Sequence, residues 1–118
     1  QKMRNFRELE IWKKGMAIAK KIYTLTSDFP IEEKYGLVNQ MRRCAVSIPS
    51  NIAEGCGRGD KELRHFLRIA MGSSFELESQ VILANDLGFM GEIETLVDEI
   101  KFLQKQINDF RLKIPTNP

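Results

Sequence analysis

The sequence predicts an all-α protein, an antiparallel up-down-up-down four-helix bundle that forms a single domain of 118 residues. Apolar residues recur at spacings of three and four along four long segments, the pattern of helices with one buried face. The segments are separated by short stretches rich in glycine or proline, and no alternating strand pattern occurs. Short connections favour antiparallel neighbours. The predicted helices cover residues 8–26, 31–55, 61–87 and 92–113.

The composition is that of a globular protein, with 42% hydrophobic and 29% charged residues. No apolar run approaches the 18 residues of a membrane-spanning helix, and no signal-peptide pattern is found, so we expect a cytoplasmic protein without membrane contact. Cys44 and Cys56 are too few for a disulfide framework or a zinc knuckle. We expect Cys44 in the core and Cys56 as an exposed thiol at a helix end.

The first helix carries more apolar surface than one buried face requires. Its main apolar row is Leu9, Trp12, Met16, Ala19 and Tyr23. A second row widens the apolar arc to about 200°, whereas a bundle helix needs about half of that. The second row therefore predicts a contact with another subunit. The interface candidates in it are Ile11, Ile18 and Ile22, and Gly15 between them would allow a close helix approach.

Basic residues on the remaining face of the first helix are candidates for nucleic-acid contacts. The four lysines are Lys13, Lys14, Lys20 and Lys21, and Arg42 and Arg58 complete the candidate set. Both a solvated surface and a strip of phosphate contacts fit this pattern. The first 58 residues hold 11 Lys and Arg against 6 Asp and Glu, whereas the rest hold 7 against 10. This asymmetry permits a basic face without requiring a nucleic-acid partner.

The second helix combines a core row with a polar stripe. The core row is Leu37, Met41, Cys44, Ala45, Ile48 and Ile52. The polar stripe lies about 120° away on the helix, and it consists of Gln40, Arg43, Ser47, Asn51 and Glu54. Glu76 of the third helix would complete this network. We interpret the stripe as a structural network, with a ligand or nucleic-acid site as the alternative. Pro49 inside this helix predicts a kink.

Turn residues mark the ends of the helices. Pro30 followed by Glu32 and Glu33 predicts the start of the second helix, because acidic side chains suit the helix dipole there. In the connection 55–60, we expect a left-handed stop at the first or second glycine and an N-cap at Asp60. Gly88 should end the third helix.

The third and fourth helices carry clear core rows. The third has Leu63, Phe66, Leu67, Ala70, Ser74, Leu77, Val81 and Ala84. The fourth has Ile93, Leu96, Ile100, Leu103, Ile107, Phe110 and Ile114. A second apolar patch on the third helix, about 120° from its core row, predicts assembly, because Phe75 would be exposed on an isolated bundle. The interface candidates in this patch are Met71, Phe75 and Ile82.

The sequence contains no complete catalytic or metal-binding motif. Glu62 and His65 form one Glu-x-x-His pair, but a di-iron bundle needs two such pairs and two further carboxylates. His65 is the one histidine of the chain. The sequence predicts no metal site, no cofactor and no catalytic site, so we do not expect an enzyme.

The stretch YGLVNQMRRCAVSIPSNIAEG, followed by GR, resembles the signature of small bacterial proteins encoded in intervening sequences of 23S ribosomal RNA genes. The segments LEIWKKGM, KKIYTLTSDFP, ELRHFLRIAMGSSFELESQ and LGFM fit the same family in the same order. The resemblance implies a four-helix bundle and a ring-shaped homo-oligomer, with a pentamer as the first choice. More remotely, the chain resembles the accessory protein of diversity-generating retroelements, which works beside a reverse transcriptase.

Two hypotheses about function follow. The first is a non-enzymatic oligomeric accessory factor that binds RNA or DNA through backbone phosphates. The second is a structural homo-oligomer that scaffolds a protein partner without binding nucleic acid.

Overall fold

The computed structural model describes residues 4–116 and confirms the predicted all-α four-helix fold. Its α-helices are α1 (Glu10–Thr26), α2 (Leu37–Cys56), α3 (Asp60–Asp86) and α4 (Glu94–Lys113), with short 3-10 helices at Phe6–Glu8 and Ile31–Glu33. Within this part of the chain, α1 contacts α2 and α4, and α3 also contacts α2 and α4. The bundle measures 50 × 23 × 23 Å.

The core rows predicted for α2, α3 and α4 face the centre of the bundle, except for Phe66 of the α3 row, which is half-buried and lies outside the core. Met41, Leu67 and Ile100 are among their fully buried members. Burying such a side chain stabilises the fold by about 1.5–3 kcal/mol. Ser74 is the polar member of the α3 row, and its hydroxyl donates to the Met71 carbonyl at 2.6 Å. Because this hydrogen bond satisfies the hydroxyl, the core accepts it without an unpaired polar group.

The second helix begins later than predicted, at Leu37 instead of residue 31. The segment Ile31–Glu33 forms a separate 3-10 turn, and Gly36 is the N-cap residue of α2. The Glu33 carboxylate accepts a hydrogen bond from the Leu37 backbone N–H at 3.3 Å. Glu33 therefore stabilises the helix start from outside the helix. Pro49 lies inside α2, which continues as one helix through it; the kink stays a prediction.

Gly55 and Gly88 have different roles. A Cβ atom on Gly55 would lie 2.8 Å from Leu63 Cδ1 and 3.0 Å from Phe66 Cβ, so glycine permits the close crossing of α2 and α3. Within residues 4–116, Gly88 alone has a positive φ, of 81°. The predicted left-handed stop at Gly55 or Gly57 is therefore wrong. Asp60 is the first residue of α3, and Gly59 is its N-cap.

The α1–α2 and α3–α4 connections lie at one end of the bundle, and the α2–α3 connection lies at the other end, beside Arg4. At one end, Phe29 and Phe89 pack together with ring centroids 5.6 Å apart, which joins the α1–α2 and α3–α4 connections. At the other end, the Arg4 backbone N–H donates to the Cys56 carbonyl at 3.2 Å. The Arg4 guanidinium also pairs with Asp60 at 3.3 Å. Among the described residues, no helix is both long and apolar enough to cross a membrane.

Candidate interaction surfaces

The isoleucine row of α1, which we expected at a subunit interface, packs in the core of the bundle instead. Ile11, Ile18 and Ile22 are only 5%, 3% and 0% exposed, so their assignment to an interface is wrong. They share one face with Gly15, at spacings of four, three and four. A Cβ atom on Gly15 would lie 3.4 Å from Pro49 Cβ, so α1 crosses α2 closely at this point. The close crossing turns the isoleucines into the core.

The other apolar row of α1 lines an open groove between α1 and α2, which we call the α1/α2 groove. Its volume is about 550 Å³. Its lining residues are Trp12, Met16, Ala19, Lys20, Tyr23, Thr24, Val46, Pro49, Ser50 and Ala53. Tyr23 is 46% exposed and Val46 is 40% exposed. A concave, mainly apolar surface of this kind is typical of a docking site.

A second apolar surface lies on the outer side of α3, which we call the α3 ridge, formed by Phe75 and Ile82. Phe75 is 56% exposed and Ile82 is 43% exposed. Phe75 is therefore exposed on the single bundle, as predicted. Met71, the third interface candidate of this patch, is instead partly buried against the core. The space around Gly72, one turn before Phe75, is also open.

Three of the six predicted phosphate contacts are held in ion pairs within the chain. Each such pair lowers the local positive charge that a phosphate would meet, although exposed pairs contribute only about 0.2–1 kcal/mol. The pairs are Lys13 with Glu10 at 3.3 Å, Lys21 with Glu99 at 2.6 Å, and Arg58 with Glu54 at 2.6 Å.

The other three candidates lie against different neighbours in the chain. The Arg42 guanidinium donates to the Tyr23 carbonyl at 3.3 Å and lies 4.6 Å from the centre of the Tyr23 ring. The Lys14 ammonium lies 4.7 Å from the centre of the Phe102 ring. Lys20 lines the α1/α2 groove. The structure therefore does not combine the six residues into one basic strip.

A basic row that the sequence analysis did not single out lies at the start of α3, and we call it the α3 basic stripe. It consists of Lys61, Arg64, His65 and Arg68, whose spacing places them on one side of the helix. Together with Glu62 and Thr116, they line a shallow surface groove of about 590 Å³. The Arg64 guanidinium donates to the Pro115 carbonyl, which joins the stripe to the end of α4.

Acidic and basic residues are concentrated at opposite ends of the bundle. A comparison of the two halves of the sequence does not reveal this separation. The end with the α1–α2 and α3–α4 connections is acidic: it carries Asp28, Glu32, Glu33, Asp86, Glu92 and Glu94 against Lys34. The opposite end is more basic, with Arg4, Arg7, Arg58, Lys61, Arg64, Arg68, Arg111 and Lys113 against Glu8, Glu10, Glu54, Asp60, Glu62 and Asp109. A polyanion would therefore approach the second end more readily.

The polar network between α2 and α3 is smaller than predicted. The Ser47 and Ser73 hydroxyls form a hydrogen bond of 2.8 Å across the two helices. The Asn51 amide donates to the Ser47 carbonyl at 2.8 Å and to its hydroxyl at 2.9 Å. Gln40 and Arg43 are exposed instead. The closed set of bonds fits the structural interpretation, because it fixes how α2 meets α3.

Glu54 and Glu76, the two acidic members of the predicted network, are also placed outside these bonds. The Glu54 carboxylate is paired with Arg58. The Glu76 carboxylate lies close enough to Cys44 to raise the pKa of its thiol.

Both cysteines are buried free thiols. The Cys44 thiol donates to the Ser73 carbonyl at 3.0 Å. Burial raises the pKa of Cys44 to about 12, and the Glu76 carboxylate adds to the rise. Cys56 is 1% exposed, so its predicted exposure is wrong. Burial raises the pKa of Cys56 too, while Arg4 opposes the rise. Neither thiol has the lowered pKa of a reactive cysteine.

The part of the chain that the structure describes contains no group of three or more His, Cys, Asp or Glu side chains placed to hold a metal ion. Its open surfaces include an apolar groove, an apolar ridge and a basic stripe. The fold defines a small helical-bundle protein, and these surfaces are its candidate interaction sites.

The profile of the family described as "23S rRNA-intervening sequence protein" matches residues 7–109. The chain belongs to this family, which confirms the resemblance carried by the stretch YGLVNQMRRCAVSIPSNIAEG. No curated protein matches the chain. The remoter resemblance to the retroelement accessory protein stays a prediction.

Proposed function

We propose that the protein is a non-enzymatic homo-oligomer in which the α3 ridge of one copy docks into the α1/α2 groove of the next. The observation that carries this proposal is the presence, on two different faces of one chain, of an apolar groove and an exposed aromatic ridge. Exposed apolar patches of this kind on a folded protein usually mark an interaction site.

The dimensions of the two surfaces are compatible. Trp12 and Tyr23, at the two ends of the groove, are separated by about 16 Å along the helix axis, at 1.5 Å per residue. Phe75 and Ile82 are separated by about 10 Å on the same basis. Both side chains of the ridge therefore fit within the length of the groove.

The charges beside the two surfaces are complementary. Lys20 lines the groove, and Glu78 lies one helical turn from both Phe75 and Ile82, beside the ridge. Opposite charges beside an apolar contact favour one orientation of the partner over others. This complementarity supports a second copy of the chain as the occupant of the groove.

Because the groove and the ridge are different surfaces, the contact is heterologous, and repeated docking gives a closed ring or an open filament. The resemblance to the intervening-sequence family supports a closed ring, with five subunits as the first choice. Scaffolding of a protein partner by this assembly is the alternative to nucleic-acid binding.

Sedimentation of three variants tests the assembly. We expect Phe75→Asp and Met16→Asp to shift the protein toward the mass of one chain, 13.6 kDa, because each places a carboxylate in the contact. Leu112→Asp is the matched control, since Leu112 is 67% exposed and belongs to neither surface. A wild-type protein that is monomeric at every concentration would contradict the proposal.

A second proposed function is that of a cytoplasmic accessory factor that holds RNA or DNA by its backbone phosphates. The basic end of the bundle and the family's association with 23S ribosomal RNA genes support it. Free thiols at both cysteines suit a reducing compartment. The test is binding of labelled duplex DNA, single-stranded RNA and a ribosomal RNA hairpin across a salt series. Affinity should fall steeply with salt; absence of binding at low salt would favour the scaffolding role.

A further inference from the structure

We infer that the α3 basic stripe is the site that contacts the phosphates of a nucleic-acid strand. This inference rests on the second proposed function, nucleic-acid binding, and identifies the residues that would perform it. It replaces the α1 lysines, which the sequence alone favours, with Lys61, Arg64, His65 and Arg68.

The stripe combines exposure with regular spacing. Lys61, His65 and Arg68 are exposed, and Arg64 is half-buried. The residues occupy two turns of α3, so the stripe is about 10 Å long. A nucleic-acid strand carries one charge per about 3.4 Å of duplex axis, so the stripe spans about three phosphates. Arginine forks also match phosphate oxygens better than a point charge does.

The negative charges near the stripe are few, and one of them is already paired. Asp60 accepts a hydrogen bond from the Arg4 guanidinium at 3.3 Å, which offsets its charge at the start of α3. Glu62 is the one acidic residue that lines the surface groove. By contrast, Lys13 and Lys21 of α1 each face a carboxylate of this chain directly. The stripe therefore keeps more of its positive charge available to a partner.

The geometry of the site predicts how it recognises its partner. The Arg64 guanidinium is anchored on the Pro115 carbonyl, which limits its freedom before binding. The neighbouring aromatic ring, that of Phe66, is half-buried, and the Arg58 guanidinium lies 5.1 Å from its centre. This covered ring is poorly placed to stack on bases. Contacts through phosphates alone fix position without reading sequence, so binding should depend weakly on base identity.

The experiment compares two double charge reversals in the full-length protein. The test variant is Lys61→Glu with Arg68→Glu, and the control is Lys101→Glu with Lys105→Glu on the exposed side of α4. Both change the net charge equally. Binding of labelled single-stranded RNA and duplex DNA of equal length is measured from low to high salt. Helix content by circular dichroism and mass by light scattering establish that each variant is folded and assembled.

For the stripe variant, we expect affinity to fall by roughly tenfold or more, and the slope of log affinity against log salt to weaken by about two. The control should keep the wild-type slope. If the variant is unfolded, Lys61→Gln with Arg68→Gln takes its place, with the same expected direction.

The outcomes separate the site from the function. If wild-type protein binds neither RNA nor DNA, nucleic-acid binding itself is wrong. If wild-type protein binds but the stripe variant retains its affinity and slope, this inference alone is overturned, and the variant Lys13→Glu with Lys20→Glu tests the α1 lysines. If polyglutamate of equal charge competes as well as RNA, the stripe is a general polyanion site and the assignment to nucleic acid is overturned.

Discussion

The two apolar rows of α1 have similar periodicity and opposite positions in the structure. Ile11, Ile18 and Ile22 are buried, whereas Trp12 and Tyr23 line the open groove. Both rows recur at threes and fours, so hydrophobic period alone does not decide between them. In the structure, the buried row is the one that contains Gly15, where α2 approaches closely through Pro49 and Ile48. Which of two equally periodic rows is buried therefore depends on where the neighbouring helix crosses α1.

The largest difference between the rows should appear in stability. Ile22→Ala removes atoms from a fully buried site, so we expect the free energy of unfolding to fall by about 2–5 kcal/mol. Met16→Ala in the groove should cost about 1 kcal/mol or less. Urea unfolding at one low protein concentration measures both, because association would add to the apparent stability. Equal losses would show that the groove row is also part of the monomer core.

A pair of glycine substitutions sharpens the same comparison at the two helix crossings. Gly55→Ala places a Cβ atom 2.8 Å from Leu63 Cδ1, and we expect a loss of about 1–3 kcal/mol in the free energy of unfolding. Gly15→Ala meets Pro49 at an ordinary contact distance of 3.4 Å. The higher helix propensity of alanine, worth about 1 kcal/mol, should offset any strain there. Thermal unfolding of both variants measures these changes. A large loss of stability in Gly15→Ala would contradict the close but unstrained packing of α1 on α2.

Trp12 provides a test of the groove that does not depend on stability. It is the one tryptophan of the chain and lies half-buried in the groove. If the ridge of a second copy covers the groove, the Trp12 side chain is less exposed to water in the assembly than in the single chain. We therefore expect its fluorescence emission to shift to longer wavelength in the Phe75→Asp variant and to stay unchanged in Leu112→Asp. An unchanged spectrum in both variants would place the contact elsewhere.

The smallest effect expected near neutral pH is the contribution of the Cys44 thiol, on the buried side of α2, to the pH dependence of stability. Its pKa rises from 9.0 to about 12 in the folded protein, mainly through burial. A raised folded pKa means that the contribution of the thiol to stability is complete below pH 9 and is lost between pH 9 and 12. The loss is at most about 1.4 kcal/mol per pH unit. Alkaline unfolding should be shallower in Cys44→Ala than in wild type; parallel curves would disprove this linkage.

The core rows of α2, α3 and α4 were predictable because each of these helices has one dominant seam. Ile48, Leu77 and Leu103 lie on these seams and are fully buried. Residues along such a seam recur at helical spacing, and the second apolar patch of α3, with only Met71, Phe75 and Ile82, is much shorter than the core row of that helix. The first helix offers two rows, and the choice between them depends on Pro49 and Ile48 of a different helix. That information becomes available only when the helices are placed side by side.

The predicted phosphate contacts also show that the sequence reveals contacts within a helix but not contacts between helices. The pairs of Lys13 with Glu10 and of Arg58 with Glu54 join residues one helical turn apart, so their spacing was visible in the sequence. The pair of Lys21 with Glu99 joins α1 to α4 and was not visible. The α3 basic stripe has a local helical spacing too, but the net negative charge of residues 59–118 conceals it.

The separation of charge along the bundle has a consequence for the proposed ring. Copies related by rotation about one axis share the same direction along that axis. The components of their charge dipoles along the axis add, whereas the perpendicular components cancel. A ring closed through the ridge and the groove would therefore be a two-sided particle to the extent that its bundles align with the axis. One rim would gather every α3 basic stripe and the other rim would repel a polyanion, so a nucleic acid would meet the particle from one side only.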